Sequence, residues 1–339
     1  MKAVADIVED VRLRGDAALR EWALALDGVE PARAEPTEAP EDAVLALADA
    51  VDCWHALQRP PDVPLEVRPG VELERRWVPL RSVGIYVPRG LVSTLVMCAV
   101  PARVAGIERV VVVTPPDGAG PVAAAASLLG IDEVWALGGP HAIAALAYGT
   151  ETIPRVDKIC GPGGAYVNEA KLLVSRDVAI DLPAGPSEVV VLAGEGADPR
   201  LVDLELAAQA EHGPGSVCAV VEVDGDLDAA LARVEELAPE HLVLLGTDAE
   251  HAAGRIRSAG AVFVGPFSSV AAGDYATGGN HVLPTGGWAR AIGGLGLETF
   301  LKPITIQRLT QDGLAALRPT VEALAEVEGM PAHAAAVRR

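Results

Sequence analysis

The groups in this sequence that can do chemistry are a few carboxylate, imidazole and amide side chains at the ends of apolar runs. In Gln209-Ala210-Glu211-His212-Gly213-Pro214, the preceding run Leu201 to Ala208 reads as helix and Gly213-Pro214 as its stop. Gln209 and His212 then fall one turn apart and look the same way. A neutral imidazole is a good zinc ligand and a glutamine carbonyl a weaker oxygen ligand. The same pair also serves as a helix-end hydrogen-bonding feature, and residue type alone leaves both readings open. Glu240-His241 precedes the apolar run Leu242 to Leu245. Adjacent carboxylate and imidazole at a strand mouth can divide proton transfers, or they can close a helix whose dipole the imidazole meets. Asp274, in Ala272-Gly273-Asp274-Tyr275, and His281, in Gly279-Asn280-His281-Val282, are further acid and imidazole groups at element ends. His333 stands alone in a C-terminal tail, where a histidine is usually exposed and inert.

Regular elements must hold these groups in place. From Val83 onward short apolar runs alternate with alanine-rich helical segments. The expected strands are Val83–Val87, Arg109–Thr114, Glu133–Ala136, Lys158–Cys160, Glu188–Ala193, Val217–Glu222, Leu242–Leu245 and Ala261–Val264. Continuous runs such as Val110-Val111-Val112-Val113 and Val189-Val190-Val191-Leu192 mark strands buried on both faces, so the class is α/β with parallel sheet flanked by helices. Doubly wound sheets bind ligands at the carboxyl ends of their strands. Turns stand there: Gly138-Gly139-Pro140, Gly161-Pro162-Gly163-Gly164 and, just ahead of a strand, Pro183-Ala184-Gly185-Pro186-Ser187. No GxGxxG follows a strand and no GxxxxGK followed by Ser or Thr occurs, so neither short nucleotide fingerprint is available. Ahead of the strands, apolar spacing from Val4 to Leu26 predicts an N-terminal helical arm stopped by Gly28. Pro31 to Pro40 reads as a linker, Glu41 to Leu57 as helix and Val71 to Val78 as extended chain. Past Pro284 a glycine-rich segment could shape a substrate pocket, and Pro319 to Val327 reads as a short helix with proline in its first turn.

The chain has 339 residues, half of them apolar, enough for two domains with buried cores. Its 27 Lys and Arg face 47 Asp and Glu, a formal charge of −20, which excludes a phosphate-backbone partner: no basic field exists to displace counterions. Cys53, Cys98, Cys160 and Cys218 are scattered without a CxxC pair and suit a reducing compartment. The first residues lead into charged chain, and no apolar run has the length of a signal core or a membrane span. The expectation is a cytoplasmic protein with no membrane partner.

The strings VDKICGPGGAYVNEAK (156–171), IDLPAGPSEVVVLA (180–193), QAEHGPGS (209–216), APEHL (238–242), AGDYATGGNHVLPT (272–285) and EGMPAH (328–333) occur in the order found in the histidinol dehydrogenase family. The chain resembles that family from about Val11 to its C-terminus. The resemblance implies two Rossmann-like doubly wound parallel-sheet domains, with a helical N-terminal arm and a small C-terminal tail exchanged in a homodimer. The implied division is an arm and lead-in at 1–80, a coenzyme-side domain at 81–187, a zinc and substrate domain at 188–300 and a helical tail at 301–339. It implies that Gln209, His212 and Asp274 bind zinc (Zn2+), with His333 of the partner subunit completing the site. Glu240 and His241 would be the acid/base pair, and Ser93, Ser187, His281 and Glu328 would contact substrate. Tyr86, Pro88, His141, Pro162, Gly163 and Gly164 would meet NAD. The implied reaction is NAD-dependent oxidation of an amino alcohol, L-histidinol to L-histidine through histidinal, in histidine biosynthesis.

Three departures bear on the coenzyme and on shape. His212 and Glu240 stand closer in sequence than in family members, which carry a further helical insertion there. The loop after Pro88 is shorter than the family's, and His141 and Gly164 stand where the family has Gln and Asn. These changes predict weakened NAD binding. A second reading therefore keeps zinc and the acid/base pair but has lost NAD, leaving a hydrolytic, lyase or cyclising enzyme in a specialised pathway. A third is a dimeric binding protein on a retired catalytic scaffold, against which stands the presence of Glu240, His241 and all four ligand positions.

Overall fold

A computed structural model describes residues 3–183, 185–213 and 215–338. Ala184 and Pro214, which fall inside two of the motifs above, lie outside the described residues, as do Met1, Lys2 and Arg339. The chain forms two compact units. One comprises Met1–Gln58 and Leu80–Phe300, the other Arg59–Pro79 and Leu301–Arg339.

The first unit contains two sheets. In the larger, strands run in the order Ala32–Arg33, Val134–Ala136, Arg109–Thr114, Ser82–Tyr86, Lys158–Cys160, Ala179–Ile180. All neighbours are parallel except the first pair. The valine run reads as expected: Val111, Val112 and Val113 are wholly buried, because helices cover both faces. From Ser82–Tyr86 the chain winds outward to Arg109–Thr114 and Val134–Ala136, then returns to the other side of Ser82–Tyr86 for Lys158–Cys160. That reversal is a switch point at the carboxyl ends of the strands that finish at Tyr86 and Cys160, where sheets of this kind form their ligand crevice.

The second sheet is four parallel strands, Val217–Glu222, Glu188–Ala193, His241–Leu245 and Ala261–Val264. Leu231 and Val234 of helix Leu227–Leu237 pack on one face with Val190, Leu192, Leu242 and Leu244. Leu201, Val202 and Leu206 of helix Pro199–Ala210 pack on the other with Val189, Val191 and Val243. Asp198 caps that helix by accepting from Arg200 N, with Pro199 following where its missing N–H costs nothing.

The N-terminal segment expected as one helical arm is two helices, Val4–Arg14 and Asp16–Leu26. Gly15 breaks them at φ 56, a conformation only glycine adopts readily, and Glu151 takes up the exposed Asp16 N–H at 2.8 Å. Val4, Val8, Val11, Leu19 and Ala23 join one buried cluster with Ile143, Leu146 and Val167, so the pair is a core layer of the first sheet. The segment expected as a linker contributes the edge strand Ala32–Arg33, paired with Trp135 and Ala136.

The second unit holds an antiparallel sheet ordered Leu301–Leu309, Val71–Pro79, Val63–Arg68, followed by helices Gln311–Val327 and Pro331–Ala336. The long helix begins at Gln311, well before Pro319, which sits inside it. Thr310 caps it by accepting from Gly313 N at 3.1 Å. A Cβ on Gly313 would lie 2.1 Å from Gly70 O, so glycine is required for this close approach.

Candidate active site

In the second sheet the acid and imidazole groups gather at the amino ends of the strands, opposite the carboxyl ends of the first sheet. The segment 181–187 carries the chain from one to the other, and Ser187 and Glu188 open the strand Glu188–Ala193. The next strand over begins at His241, immediately after Glu240. Parallel pairing sets His241 beside Val189, which brings both strand mouths to one place.

His241 is 3% exposed, and its Nδ1 lies 3.1 Å from Glu188 O. A carbonyl only accepts, so Nδ1 carries the proton and Nε2 keeps its lone pair. Nε2 is buried without a hydrogen-bond partner among the described residues and stands 3.7 Å from Asp274 Oδ1. Burial pushes the imidazole pKa down to about 4, with the Glu188 carbonyl only partly opposing it. His241 is a neutral base at neutral pH. Glu240 is buried, and its Oε2 accepts from Glu188 N at 2.8 Å. Burial raises its carboxyl to about 8, against the opposing bonds from Glu188 N and Ser187. Two adjacent residues thus carry opposite shifts for one reason, desolvation of their charged forms.

Gln209 sits at the end of helix Pro199–Ala210, 2% exposed, and its Nε2 donates to Ser187 Oγ at 2.8 Å. Its Oε1 is buried with no partner among the described residues. His212, exposed beyond the helix end, places Nδ1 3.3 Å from Gln209 O, so Nδ1 carries the proton and Nε2 keeps its lone pair. Asp274 lies in the short helix Val270–Tyr275, anchored by the Ser269 cap and by Glu205 Oε2, which accepts from Val270 N at 3.2 Å. Burial raises the Asp274 carboxyl to about 6, with the His212 charge opposing. Among the described residues no group of three or more His, Cys, Asp and Glu is placed to hold a metal. The set here is of mixed chemistry: an amide oxygen without a donor, a desolvated carboxylate and an imidazole. An orphaned buried acceptor and a buried carboxylate both gain from a cation, so these residues fit one.

His281 bridges the two sheets. Its Nδ1 is 3.0 Å from Asp274 O and its Nε2 3.3 Å from Thr94 Oγ1, in the first turn of helix Val92–Ala105. Burial lowers its pKa to about 4, so it accepts from Thr94 and donates to Asp274 O. Neighbouring Asn280 donates to Met97 O at 2.7 Å and accepts from Val282 N at 3.0 Å, pinning the loop that carries His281 to the same helix. Sequence reasoning missed Thr94, Asn280 and Glu205. Their types are ordinary for helices and loops, and the signals were the adjacency of Asn280 to His281 and of Thr94 to Ser93. Ser93 is half-buried one residue before Thr94.

Among the residues expected to meet NAD, Tyr86 is buried, with its hydroxyl accepting from Gly139 N at 3.4 Å. Pro88, Pro162 and Gly163 are half-buried, and Gly164 is exposed as the N-cap of helix Ala165–Val174. His141 is wholly buried, and its Nε2 lies 3.1 Å from Asp27 Oδ2, which also accepts from Gly138 N at 2.8 Å. Burial would raise the Asp27 carboxyl, but the His141 and Gly138 bonds together hold it below the usual range. The structure turns this imidazole toward the N-terminal helices. Glu328, which closes helix Gln311–Val327, and His333 are exposed residues of the second unit.

The sequence pattern of the family described as "Histidinol dehydrogenase" matches residues 1–227 and 223–339. The chain belongs to the histidinol dehydrogenase family. The curated histidinol dehydrogenase of Methanosarcina mazei is 41% identical over 99% of this chain and 90% of its own length. The crystal structure of histidinol dehydrogenase from Elizabethkingia anophelis superposes with a TM-score of 0.90 at 34% identity, covering 98% of this chain and 90% of that one. Succinate-semialdehyde dehydrogenase from Burkholderia pseudomallei shares the fold alone, with a TM-score of 0.54 at 11% identity over 91% of this chain and 86% of its own. Membership makes this an oxidoreductase-family enzyme. The alignment with the Methanosarcina mazei histidinol dehydrogenase spans 392 positions, more than this chain has, so that relative carries segments with no counterpart here. The family match divides at 223–227, the turn between strand Val217–Glu222 and helix Leu227–Leu237. That turn lies inside the interval where a helical insertion was expected to be missing.

Proposed function

We propose that this chain oxidises an amino alcohol with NAD, L-histidinol to L-histidine through histidinal or a closely related substrate, at a zinc site formed by Gln209, His212 and Asp274 with His333 of the partner subunit. Gln209, His212 and Asp274 would hold the zinc, which would supply a Lewis acid for the substrate, and two NAD molecules in turn would each accept one hydride. The observation that carries the reading is the unpartnered Nε2 of a neutral, buried His241 beside Asp274 and the donor-free Gln209 Oε1. His241 Nε2 takes the proton of the carbinol hydroxyl, and Nδ1–H stays on Glu188 O to hold the ring in that tautomer. Glu240, a carboxyl held near 8, exchanges protons in both directions around neutral pH. It takes one from the water that adds to the aldehyde, giving the diol whose oxidation yields the carboxylate. Ser93, Ser187, His281 and Glu328 contact substrate, and Tyr86, Pro88, Pro162, Gly163 and Gly164 line the coenzyme's path. Residues 81–187 form the coenzyme side and 188–300 the zinc and substrate side of a cytoplasmic homodimer that exchanges its C-terminal tails. The described residues contain no helix long and apolar enough to cross a membrane.

One observation favours a second reading, a zinc enzyme without NAD: His141, at a coenzyme position, is consumed by Asp27. Incubation of the purified protein with NAD and L-histidinol, following reduced-coenzyme absorbance, decides between them. Zinc-dependent formation of reduced coenzyme supports the dehydrogenase. Zinc binding with no NAD binding by calorimetry at millimolar coenzyme, substrate analogue present, replaces it with the second reading.

A further inference from the structure

We propose that Ser187 is a positioning residue that sets which end of the Gln209 amide faces the cation and ties that ligand to the acid/base pair. This rests on the zinc reading above. The two ends of a carboxamide have nearly the same shape, so packing alone does not choose between them. Only Oε1 can ligate a metal, and the flipped NH2 group would repel one. The choice is made by a single hydroxyl. Ser187 has one proton to give, and its bond to the Glu240 side chain favours the ionised carboxylate, as a donor does. When Glu240 is ionised that proton is committed to it, the Ser187 oxygen can only accept, and what reaches it at 2.8 Å is Gln209 Nε2. Oε1 is then forced to the opposite side, where it is buried without a partner.

Ser187 is well placed for this. It ends the segment that crosses from the first sheet to the second, and the strand behind it is wholly buried at Val189. The next residue, Glu188, donates its N–H to Glu240 Oε2 at 2.8 Å and offers its carbonyl to His241 Nδ1 at 3.1 Å. Its carboxylate Oε1 accepts from Gly286 N at 2.9 Å, which fixes this strand mouth to the glycine-rich segment. Gln209, Glu240 and His241 therefore take their orientation from two consecutive residues, and a shift of the strand mouth would move all three together.

The experiment is an equilibrium competition for zinc alone against a chromophoric chelator, with the cobalt(II)-substituted absorption spectrum as a second signal. His212→Ala serves as the control on the zinc reading: wild-type protein must bind zinc and this variant must lose it. Ser187→Ala is expected to bind zinc roughly 10- to 100-fold more weakly, the usual effect of removing a partner that orients a ligand, with an altered cobalt spectrum. Ser187→Cys, close in size but a weak acceptor, should shift the same way and stands in if the alanine variant does not fold. Gln209→Glu presents two equivalent oxygens that need no orientation. Adding Ser187→Ala to it should change zinc affinity by less than roughly threefold. Wild-type zinc affinity in both Ser187 variants, with only KM for L-histidinol raised, would leave Ser187 a substrate contact with no part in orienting Gln209 and overturn the inference. An equal loss in the Gln209→Glu background would also overturn it. Failure of wild-type protein to bind zinc would instead remove the proposed function, and this inference with it.

Discussion

Lys171 tests how the Gly161-to-Gly164 loop is held at the crevice. Its ammonium is buried, donating to Gly161 O at 2.9 Å and to Asp181 Oδ1 at 2.5 Å. Asp181 Oδ2 accepts from Gly161 N at 2.7 Å, and Oδ1 also accepts from Leu182 N at 2.7 Å. Gly161 is gripped from both sides at φ 100, where a Cβ would fall 2.1 Å from Tyr86 O. Lys171→Met keeps the apolar stem but strands a carboxylate whose side chain is 1% exposed. Breaking a buried pair this way costs about 3–5 kcal/mol. The two backbone donors that remain on Asp181 place the expected loss near the lower end, at about 3 kcal/mol. Adding Asp181→Asn removes the stranded charge and keeps an oxygen for Gly161 N. The double variant should therefore recover to within about 1–2 kcal/mol of wild type, the cost of one or two lost hydrogen bonds. Urea unfolding followed by tryptophan fluorescence reads both as shifts in midpoint at constant slope. A Lys171→Met loss below about 1 kcal/mol would refute the reasoning, as would a double variant no more stable than the single one.

Gly164→Asn should strengthen NAD binding by about two- to tenfold in calorimetry, because a Cβ there meets nothing within 4 Å and the new amide restores a donor and an acceptor. His141→Ala should instead lower stability by about 1–3 kcal/mol in thermal unfolding, since it removes the partner of Asp27, whose side chain is 11% exposed. Mixing His241→Ala chains with His333→Ala chains should restore part of the oxidation that neither shows alone, because a heterodimer holds one site with both groups. No recovery after confirmed subunit exchange counts against the exchanged tail. His55 is wholly buried with Nδ1 2.8 Å from Val51 O, and burial pulls its pKa below the ordinary 6.5. The unfolded chain then binds a proton that the folded one refuses, so this contribution to stability is full above about pH 6.5 and falls as pH drops toward the folded value. Urea midpoints measured downward from pH 7 should decline less steeply in His55→Gln.

The central strands Arg109–Thr114, Glu188–Ala193 and His241–Leu245 were legible because each is buried on two faces, so the valine runs at Val110–Val113 and Val189–Val191 appear as unbroken apolar stretches, whereas the short edge strands Ala32–Arg33 and Ala179–Ile180 carry no such run. Motif order likewise set the family, and the spacing placed Gln209 in the last turn of a helix, but that helix stops at Ala210 and leaves His212 exposed in the turn beyond it, not on a shared helix face. What local pattern could not carry was any partner distant in the chain. Leu301–Leu309 pairs with Val71–Pro79, and that pairing makes the second unit a sheet where the sequence suggested a lead-in and a tail. Thr94 meets His281 and Asp27 takes His141 through contacts that no window of sequence contains. Glu240 and His241 were named as a pair from their types alone. Their division, one carboxyl raised to about 8 and one imidazole lowered to about 4, was decided by tertiary structure, because desolvation depends on what the rest of the chain packs around a group.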